Sequence, residues 1–142
     1  MKSRRERSTV APSDLEAMMP LTVNRPFKDV AVCESTTSIA TTPVIATGIA
    51  PSAGYVERVM AAAGGTTTGT IAVAVSINGG SDITGGALTI AAGSNARAAS
   101  ILEFPGVGTA SGISVNEGDF ITFTPSGGTG ASIPGAFVMV IR

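Results

Sequence analysis

From residue 28 onward, apolar and small polar residues alternate along the chain with a period of two. The clearest run covers residues 70–77, where the branched side chains are Ile71, Val73, Val75 and Ile77. This alternation puts the branched side chains on one face of a strand and the small ones on the other. Further strands are predicted over residues 29–34, 38–47, 54–62, 87–91, 99–104, 120–124 and 136–142.

Glycine-rich turns separate these segments. Asn78-Gly79 directly follows the strongest strand, and this dipeptide favours the positive backbone torsions of a type I′ hairpin turn, so the chain is expected to reverse there. Short strands at this spacing predict an all-β fold, a single antiparallel β-sandwich or jelly-roll-like domain over residues 25–142. Only residues 93–102 leave two interpretations open, a strand or a helical turn.

The predicted core consists of the branched residues, methionine and phenylalanine. The large anchors are expected to be Phe104, Phe120, Phe123 and Phe137. The run 137–141 is apolar on both faces, so it is expected to be a strand covered by the opposite sheet on one side and by a neighbouring subunit on the other. Cys33, the only cysteine, is predicted to be a small buried apolar residue.

Residues 1–24 differ from the rest and are predicted to form an extended N-terminal arm with one short helix. Ser13 and Glu16 fit a capping box, and Pro20 ends the helix. Leu15, Met18 and Met19 form one apolar stripe on at most two turns, too short to persist alone in water. The helix packs on its own domain or docks onto a partner, unless the segment is disordered.

Charge is sparse and concentrated near the start. Gly, Ala, Ser and Thr make up about half of the chain, and only 13% of residues are charged. Residues 1–10 have a net charge of +3, from Lys2, Arg4, Arg5 and Arg7 against Glu6. This cluster is expected to meet a protein surface or to form a solvated terminus. Nucleic acid is the least favoured partner, because no aromatic residue among the cations offers base stacking.

The composition argues against catalysis and cofactors. The chain has no histidine and no tryptophan, and one cysteine provides neither an internal disulfide nor a multi-thiolate metal site. Asn116, Glu117 and Asp119 form the densest polar cluster, which predicts a tight turn. The alternative, a calcium site, would need waters and backbone carbonyls as additional ligands. We therefore expect no catalytic residue, no metal, no cofactor and no small-molecule substrate.

Three further features of the sequence bear on function: isolated charged residues, an apolar stretch and the basic start. Glu57-Arg58 and Glu103 are expected at solvent-facing strand positions or in an ion pair between subunits. Residues 44–63 form the most apolar long stretch, but Pro51, Glu57 and Arg58 interrupt it, so no membrane span is predicted. No apolar run follows the basic start, so no export signal is predicted and synthesis in a host cytoplasm is expected.

The body from about residue 69 onward resembles the capsid decoration, or cement, proteins of tailed bacteriophages. The resemblance covers roughly half of the chain, in a succession of strands and glycine-rich turns that head fibres and tail-fibre modules also show. The segments that carry it are Thr70-Ile-Ala-Val-Ala-Val-Ser-Ile-Asn-Gly79, Ala87-Leu-Thr-Ile-Ala-Ala-Gly93, Val115-Asn-Glu-Gly-Asp-Phe-Ile121 and Gly135-Ala-Phe-Val-Met-Val-Ile141.

This resemblance implies a non-enzymatic protein on the outer surface of the virion, where it bridges neighbouring copies of the major capsid protein, often as a homotrimer. The arm would then bind the capsid. Its expected contact residues are Lys2, Arg4, Arg5, Arg7, Leu15, Met18 and Met19. The alternatives are a receptor- or carbohydrate-binding module of a phage fibre and a jelly-roll shell protein whose basic arm faces the genome.

Overall fold

The computed structural model describes residues 29–93, 99–104 and 112–142. The predicted arm over residues 1–24 and its short helix lie outside the described residues. So do residues 94–98, for which strand and helical turn were both open. The boundary predicted between arm and domain at residue 25 also falls outside them.

The described residues form an all-β fold, as predicted. Their strands are β1 (Val30–Thr36), β2 (Ala46–Ile49), β3 (Gly54–Ala63), β4 (Ile71–Ile77), β5 (Thr89–Ile90), β6 (Ala99–Glu103), β7 (Ser114–Val115), β8 (Phe120–Ser126) and β9 (Gly135–Ile141). Sheet 1 has five strands in the order β1-β9-β3-β6, with β7 paired to the start of β3. Sheet 2 has four strands in the order β2-β8-β4-β5.

Every strand pair is antiparallel. Most connections cross from one sheet to the other, so that β1, β3, β6 and β9 lie in sheet 1 while β2, β4, β5 and β8 lie in sheet 2. This is the connectivity of a jelly roll. Apart from the short strand β7, it consists of two four-stranded layers built from interleaved Greek keys. The β-sandwich predicted from the period-two pattern is therefore confirmed.

The core lies between the two sheets and follows the alternation of each strand. In β4 the side chains of Ile71, Val73 and Val75 are buried, whereas Ala72 and Ala74 on the other face are partly exposed. Phe123 of sheet 2 stacks on Phe137 of sheet 1, with ring centroids 5.2 Å apart and planes 7° from parallel. Aromatic contacts of this kind join the two layers at their centre.

Two of the four predicted aromatic anchors occupy the core. Phe123 and Phe137 are fully buried, and Phe104 packs against the core while remaining partly exposed. Phe120 was wrongly placed in the core and is 48% exposed. The reason is the pleat of β8: Phe120 and Phe123 are three positions apart, so they face opposite sides of the sheet.

Cys33 was also wrongly predicted to be buried, and its side chain is exposed. Val32 faces the core in β1, so the next residue along the strand must point outward. The strand predicted over residues 38–47 begins only at Ala46. Thr42 has a φ of 53°, and Pro43 has no N–H for a ladder, so both interrupt the strand although Ser38, Ile39 and Ala40 are buried.

The predicted type I′ turn is present. Asn78 and Gly79 have φ values of 53° and 75°, and the Gly80 N–H donates to the Ile77 carbonyl over 3.0 Å. Asn78 can adopt this conformation at low cost, which is why Asn-Gly is favoured in such turns. The returning loop then runs back along β4, where the Ile83 N–H donates to the Val75 carbonyl over 2.8 Å.

Asp82 fastens this loop to the sheet. Its Oδ1 accepts hydrogen bonds from the Val75 N–H at 3.0 Å, the Thr84 N–H at 2.9 Å and the Thr84 hydroxyl at 2.8 Å. Burial alone would raise the pKa of Asp82, but these hydrogen bonds lower it below its ordinary value. The loop therefore depends on the ionised carboxylate.

Phe123→Ala should lower the free energy of unfolding by about 3–5 kcal/mol, because it removes one of the two stacked rings and leaves a cavity. Phe120→Ala on the same strand is the matched control and should cost about 1 kcal/mol or less, since that ring is half in solvent. Urea denaturation of both variants measures the difference. Equal losses would contradict the placement of the two rings.

Asp82→Ala should lower the free energy of unfolding by about 1–3 kcal/mol, because the Val75 and Thr84 amides lose their acceptor. Since the pKa of Asp82 is lower in the folded chain than its ordinary 3.8, its contribution is complete above that pH. It is lost as the pH falls through the folded value. Denaturation at several pH values should show the wild type and the variant converging in acid, and a constant difference would contradict this role.

Candidate interaction surface

The candidate site residues named from the sequence all lie in the arm, outside the described residues. These residues are Lys2, Arg4, Arg5, Arg7, Leu15, Met18 and Met19. The described chain starts at Asp29, next to Arg142 at the end of β9, and the Arg142 Nε donates to the Asp29 Oδ1 over 2.8 Å. Asp29, the first described residue, therefore lies at one end of sheet 1.

The outer face of sheet 1, the side turned away from the core, is mostly apolar. The strand registers align its residues in three rows across β1, β9, β3 and β6. The apolar members are Ala31, Cys33, Met60, Ala62, Ala99, Ile101, Ala136, Val138 and Val140, and the polar members are Ser35, Arg58 and Glu103. A sheet face of this composition is typical of a contact surface rather than a solvated one.

The period-two pattern indicated part of this face. The C-terminal run was expected to be covered on both sides, and its inward residues Phe137, Met139 and Ile141 are buried against sheet 2. On the outer side Val140 is 6% exposed, while Val138 is partly exposed and Ala136 is exposed. The predicted neighbouring subunit stays a prediction.

Small residues make the outer face of sheet 1 uneven. A shallow depression of about 190 Å³ lies between β3 and β9 and is lined by Ala62, Ala63, Gly64, Pro134, Gly135 and Ala136. A second depression, of about 310 Å³, lies between β1 and β9 and is lined by Cys33, Glu34, Ser35, Ala136, Phe137 and Val138. Both border Ala136, whose short side chain leaves the space open.

A charged network closes the end of this face at which Asp29 and Arg142 lie. Arg142 contacts Asp29 at 2.8 Å and the Glu57 Oε2 at 3.3 Å, and Arg58 lies 3.5 Å from the same Glu57 oxygen. The hydrogen bond from Arg142 lowers the pKa of Asp29, and in turn Asp29 raises the pKa of Arg142. Glu57 is thus paired within the chain, and an ion pair between subunits stays a prediction for Glu57-Arg58 and Glu103.

A β-bulge positions Glu57. The register between β3 and β9 shifts between Val56 and Arg58, so Glu57 is the extra residue of β3 and its side chain is redirected. The spacing of valines in the sequence is a signal for this shift. Val56 and Val59 are three positions apart and yet both are buried, whereas Val59, Ala61 and Ala63 keep the period of two.

The polar cluster at residues 116–119 forms the predicted turn. The Asp119 Oδ2 accepts from the Asn116 N–H at 2.8 Å, and its Oδ1 accepts from the Asn78 side-chain amide at 2.9 Å. The hydrogen bond from the Asn116 amide is the main reason that the pKa of Asp119 is lowered. These bonds link the turn before β8 to the turn after β4.

Three described loops at the opposite end of the sandwich carry no charge. The loops over residues 37–45, 64–70 and 127–134 contain no charged side chain and are rich in Ser, Thr and Gly. Within the described ranges, the acidic residues are Asp29, Glu34, Glu57, Asp82, Glu103, Glu117 and Asp119, and the basic ones are Arg58 and Arg142. The described body is therefore acidic, whereas the arm is basic.

The described ranges show neither a metal-binding cluster nor a membrane-spanning helix. Over residues 29–93, 99–104 and 112–142, no group of three or more His, Cys, Asp or Glu side chains is placed to hold a metal ion. In the same ranges, no helix has both the length and the apolar character needed to cross a membrane.

Cys33 should react promptly with a thiol reagent in the folded protein, because its side chain is exposed on the outer face of sheet 1. Absorbance after addition of an aromatic disulfide reagent measures the rate. The expected rate in buffer is within about tenfold of the rate in denaturant. A thiol that reacts only after unfolding would contradict the exposed position.

Comparison with known proteins gives no relative on which a function could be based. No family model matches the chain, no curated protein matches it, and no solved structure matches it.

Proposed function

We propose that the chain is a non-enzymatic structural protein of a phage virion, which decorates the capsid and stabilises it by bridging neighbouring capsid subunits. The observation that carries the proposal is the apolar outer face of sheet 1, which bears Arg58 and Glu103 as its charged members. The resemblance of residues 69–142 to phage decoration proteins supports the virion as the place of action and the major capsid protein as the partner.

The size of the outer face of sheet 1 favours a contact that is repeated on a lattice. Four strands about 4.8 Å apart, each contributing three outward residues, span roughly 300–400 Å² per copy. A stable pairwise interface buries about 800 Å² on each partner. One such face binds weakly, so a second contact linked to it is needed for firm attachment.

The arm supplies that second contact in this proposal. Residues 1–24 reach at most about 80 Å when extended, enough to pass from one capsid subunit to the next. Lys2, Arg4, Arg5 and Arg7 would meet acidic capsid surface, because complementary charge favours this contact. Leu15, Met18 and Met19 would enter an apolar groove.

The chemistry of the side chains supports a role without catalysis. The chain has no histidine, so no imidazole is present to act as a general base or to activate the thiol of Cys33. The carboxylates of Asp82 and Asp119 accept hydrogen bonds from neighbouring backbone amides. They hold turns in place, and this structural use accounts for their lowered pKa values.

A receptor- or carbohydrate-binding module is the second candidate, and one observation favours it. The described loops over residues 37–45, 64–70 and 127–134 have no charged side chain and present many hydroxyl groups, which hydrogen-bond well to sugars. Sugar rings also stack on aromatic side chains, however, and Tyr55 lies at the opposite end, where its N–H donates to the Arg142 carbonyl. Binding on a glycan array would favour this candidate.

The decoration proposal predicts binding to heads of the encoding phage that have been stripped of this protein. The full chain should bind in a copy number matching the threefold or quasi-threefold positions of the lattice, measured by mass. Deleting residues 1–24 should leave a folded body with at least tenfold weaker binding, because the linked second contact is lost. Ile101→Lys should weaken binding similarly, since Ile101 is 56% exposed on the outer face of sheet 1.

Thr89→Lys is the matched control, because Thr89 is an exposed residue of β5 at the corresponding edge of sheet 2. It should bind like the wild type. Undiminished binding of the truncated chain would disprove the role of the arm, and undiminished binding of Ile101→Lys would disprove the role of the outer face. A few copies per particle would indicate a fibre or tail protein. Light scattering of the free protein measures whether it is the homotrimer that the resemblance implies.

A further inference from the structure

The edge strand β2 lies in sheet 2, away from the surface proposed to meet the capsid. It pairs with β8 on one side, from Ala46 opposite Phe123 to Ile49 opposite Phe120. Within the described residues, β2 is the first strand in the order of sheet 2, so its other side has no neighbouring strand there. A free strand edge presents backbone groups that another chain can pair with.

The backbone hydrogen bonds show which groups of β2 face this free edge. The Ala50 N–H donates to the Asp119 carbonyl over 2.9 Å, so Ala50 is directed toward β8. Phe120, opposite Ile49, exchanges its N–H and carbonyl with Asn78 on the β4 side instead. Because directions alternate along a strand, the N–H and carbonyl groups of Ile49, Thr47 and Ile45 point to the free edge.

Most of the exposed large apolar side chains lie along this edge. In the described part of the chain these are Val44, Ile45, Ile49, Ile101 and Phe120, with 45%, 54%, 63%, 56% and 48% exposure. All except Ile101 belong to β2, to the residues just before it, or to the β8 residue opposite Ile49. Together the four present roughly 400 Å² of apolar surface, comparable to a functional surface patch.

The residues of β2 itself lack the features that normally prevent pairing. No charged residue occurs between Ser35 and Val56, and residues 44–50 contain no proline. By contrast, β1 on the same side of the sandwich carries Glu34, turned toward β2. A Cβ on Gly48 would lie 2.6 Å from its Oε2. An inward-pointing charge of this kind protects an edge, and β2 has none of its own.

We propose that β2 pairs antiparallel with β2 of a second copy of this chain, joining two copies of sheet 2 into one continuous sheet. The pattern around Thr47 is self-complementary: Ile45 and Ile49 flank it on the outer face, while Ala46 and Gly48 flank it on the core face. An interface with two-fold symmetry requires such a pattern. With Thr47 opposite Thr47 of the second copy, each Ile45 faces Ile49 across the axis.

This register agrees with the backbone directions. Thr47, Ile45 and Ile49 are the residues whose polar groups face the free edge, so each facing pair can exchange two hydrogen bonds. The apolar surface of both copies adds up to roughly 800 Å², which is below the total of about 1,000 Å² expected of a stable specific interface. The pairing is therefore weak and depends on concentration, with dissociation expected around the micromolar range or above.

Disulfide trapping tests the register in the full-length protein without any capsid. Facing residues of a hydrogen-bonded antiparallel pair have Cα atoms about 5.5 Å apart, within the range that a disulfide spans. Thr47→Cys combined with Cys33→Ser should form a covalent dimer at least tenfold faster than Thr89→Cys combined with Cys33→Ser. Both threonines are exposed residues of edge strands in sheet 2. Equal rates would overturn the proposal.

Sedimentation equilibrium under reducing conditions provides the second measurement. The wild type should shift from monomer toward dimer, or from one assembly to its pair, as its concentration rises to about 1 mM. Ile49→Lys should abolish the shift and Thr89→Lys should leave it unchanged, since both are exposed residues on the two opposite edge strands of sheet 2. A wild type with no shift would overturn the proposal. So would a shift that survives Ile49→Lys but is lost on deletion of residues 1–24, since the arm would then make the contact.

Discussion

The close approach of the two sheets is the constraint on which the rest of this structure depends. About half of the chain is Gly, Ala, Ser or Thr, so few side chains are large enough to fill the space between the layers. The stack of Phe123 on Phe137 fills its centre, and apolar residues such as Ile71, Val73 and Met139 belong to the same core. Since one face of each strand is used in this way, what the protein presents to its surroundings is decided by the other face.

The outward faces are unusual because charge is almost missing from them. In the described body, Asp29, Glu57 and Arg142 form one network at the end of sheet 1, and Asp82 and Asp119 hold turns. These carboxylates stabilise loops rather than solvate the sheets. Four of the nine basic residues are clustered at Lys2, Arg4, Arg5 and Arg7, so in the proposed function attraction to an acidic partner and contact through apolar surface are assigned to different parts of the chain.

The sequence predicted the fold well where one physical signal dominated. The alternation over residues 70–77 and the dipeptide Asn78-Gly79 needed only local chemistry, and both were confirmed. The errors occur where a local pattern was ambiguous. Residues 38–47 look extended, but Thr42 and Pro43 break the strand. Cys33 and Phe120 belong to residue types that are usually buried, and the pleat placed both outside. Exposure of a single residue depends on strand register, which composition does not reveal.

Surfaces that form only when strands pair were the hardest to predict from the sequence. They are also the surfaces on which the proposed function and the proposed dimer rest. The outer face of sheet 1 exists because β9 lies between β1 and β3, which brings residues far apart in the chain into common rows. The free edge of β2 exists because β8 is its partner on one side. Neither surface by itself is large enough for a tight one-to-one complex. A protein with two weak, differently directed contacts is suited to bind where many identical partners are arranged at fixed spacing, since each contact then strengthens the next.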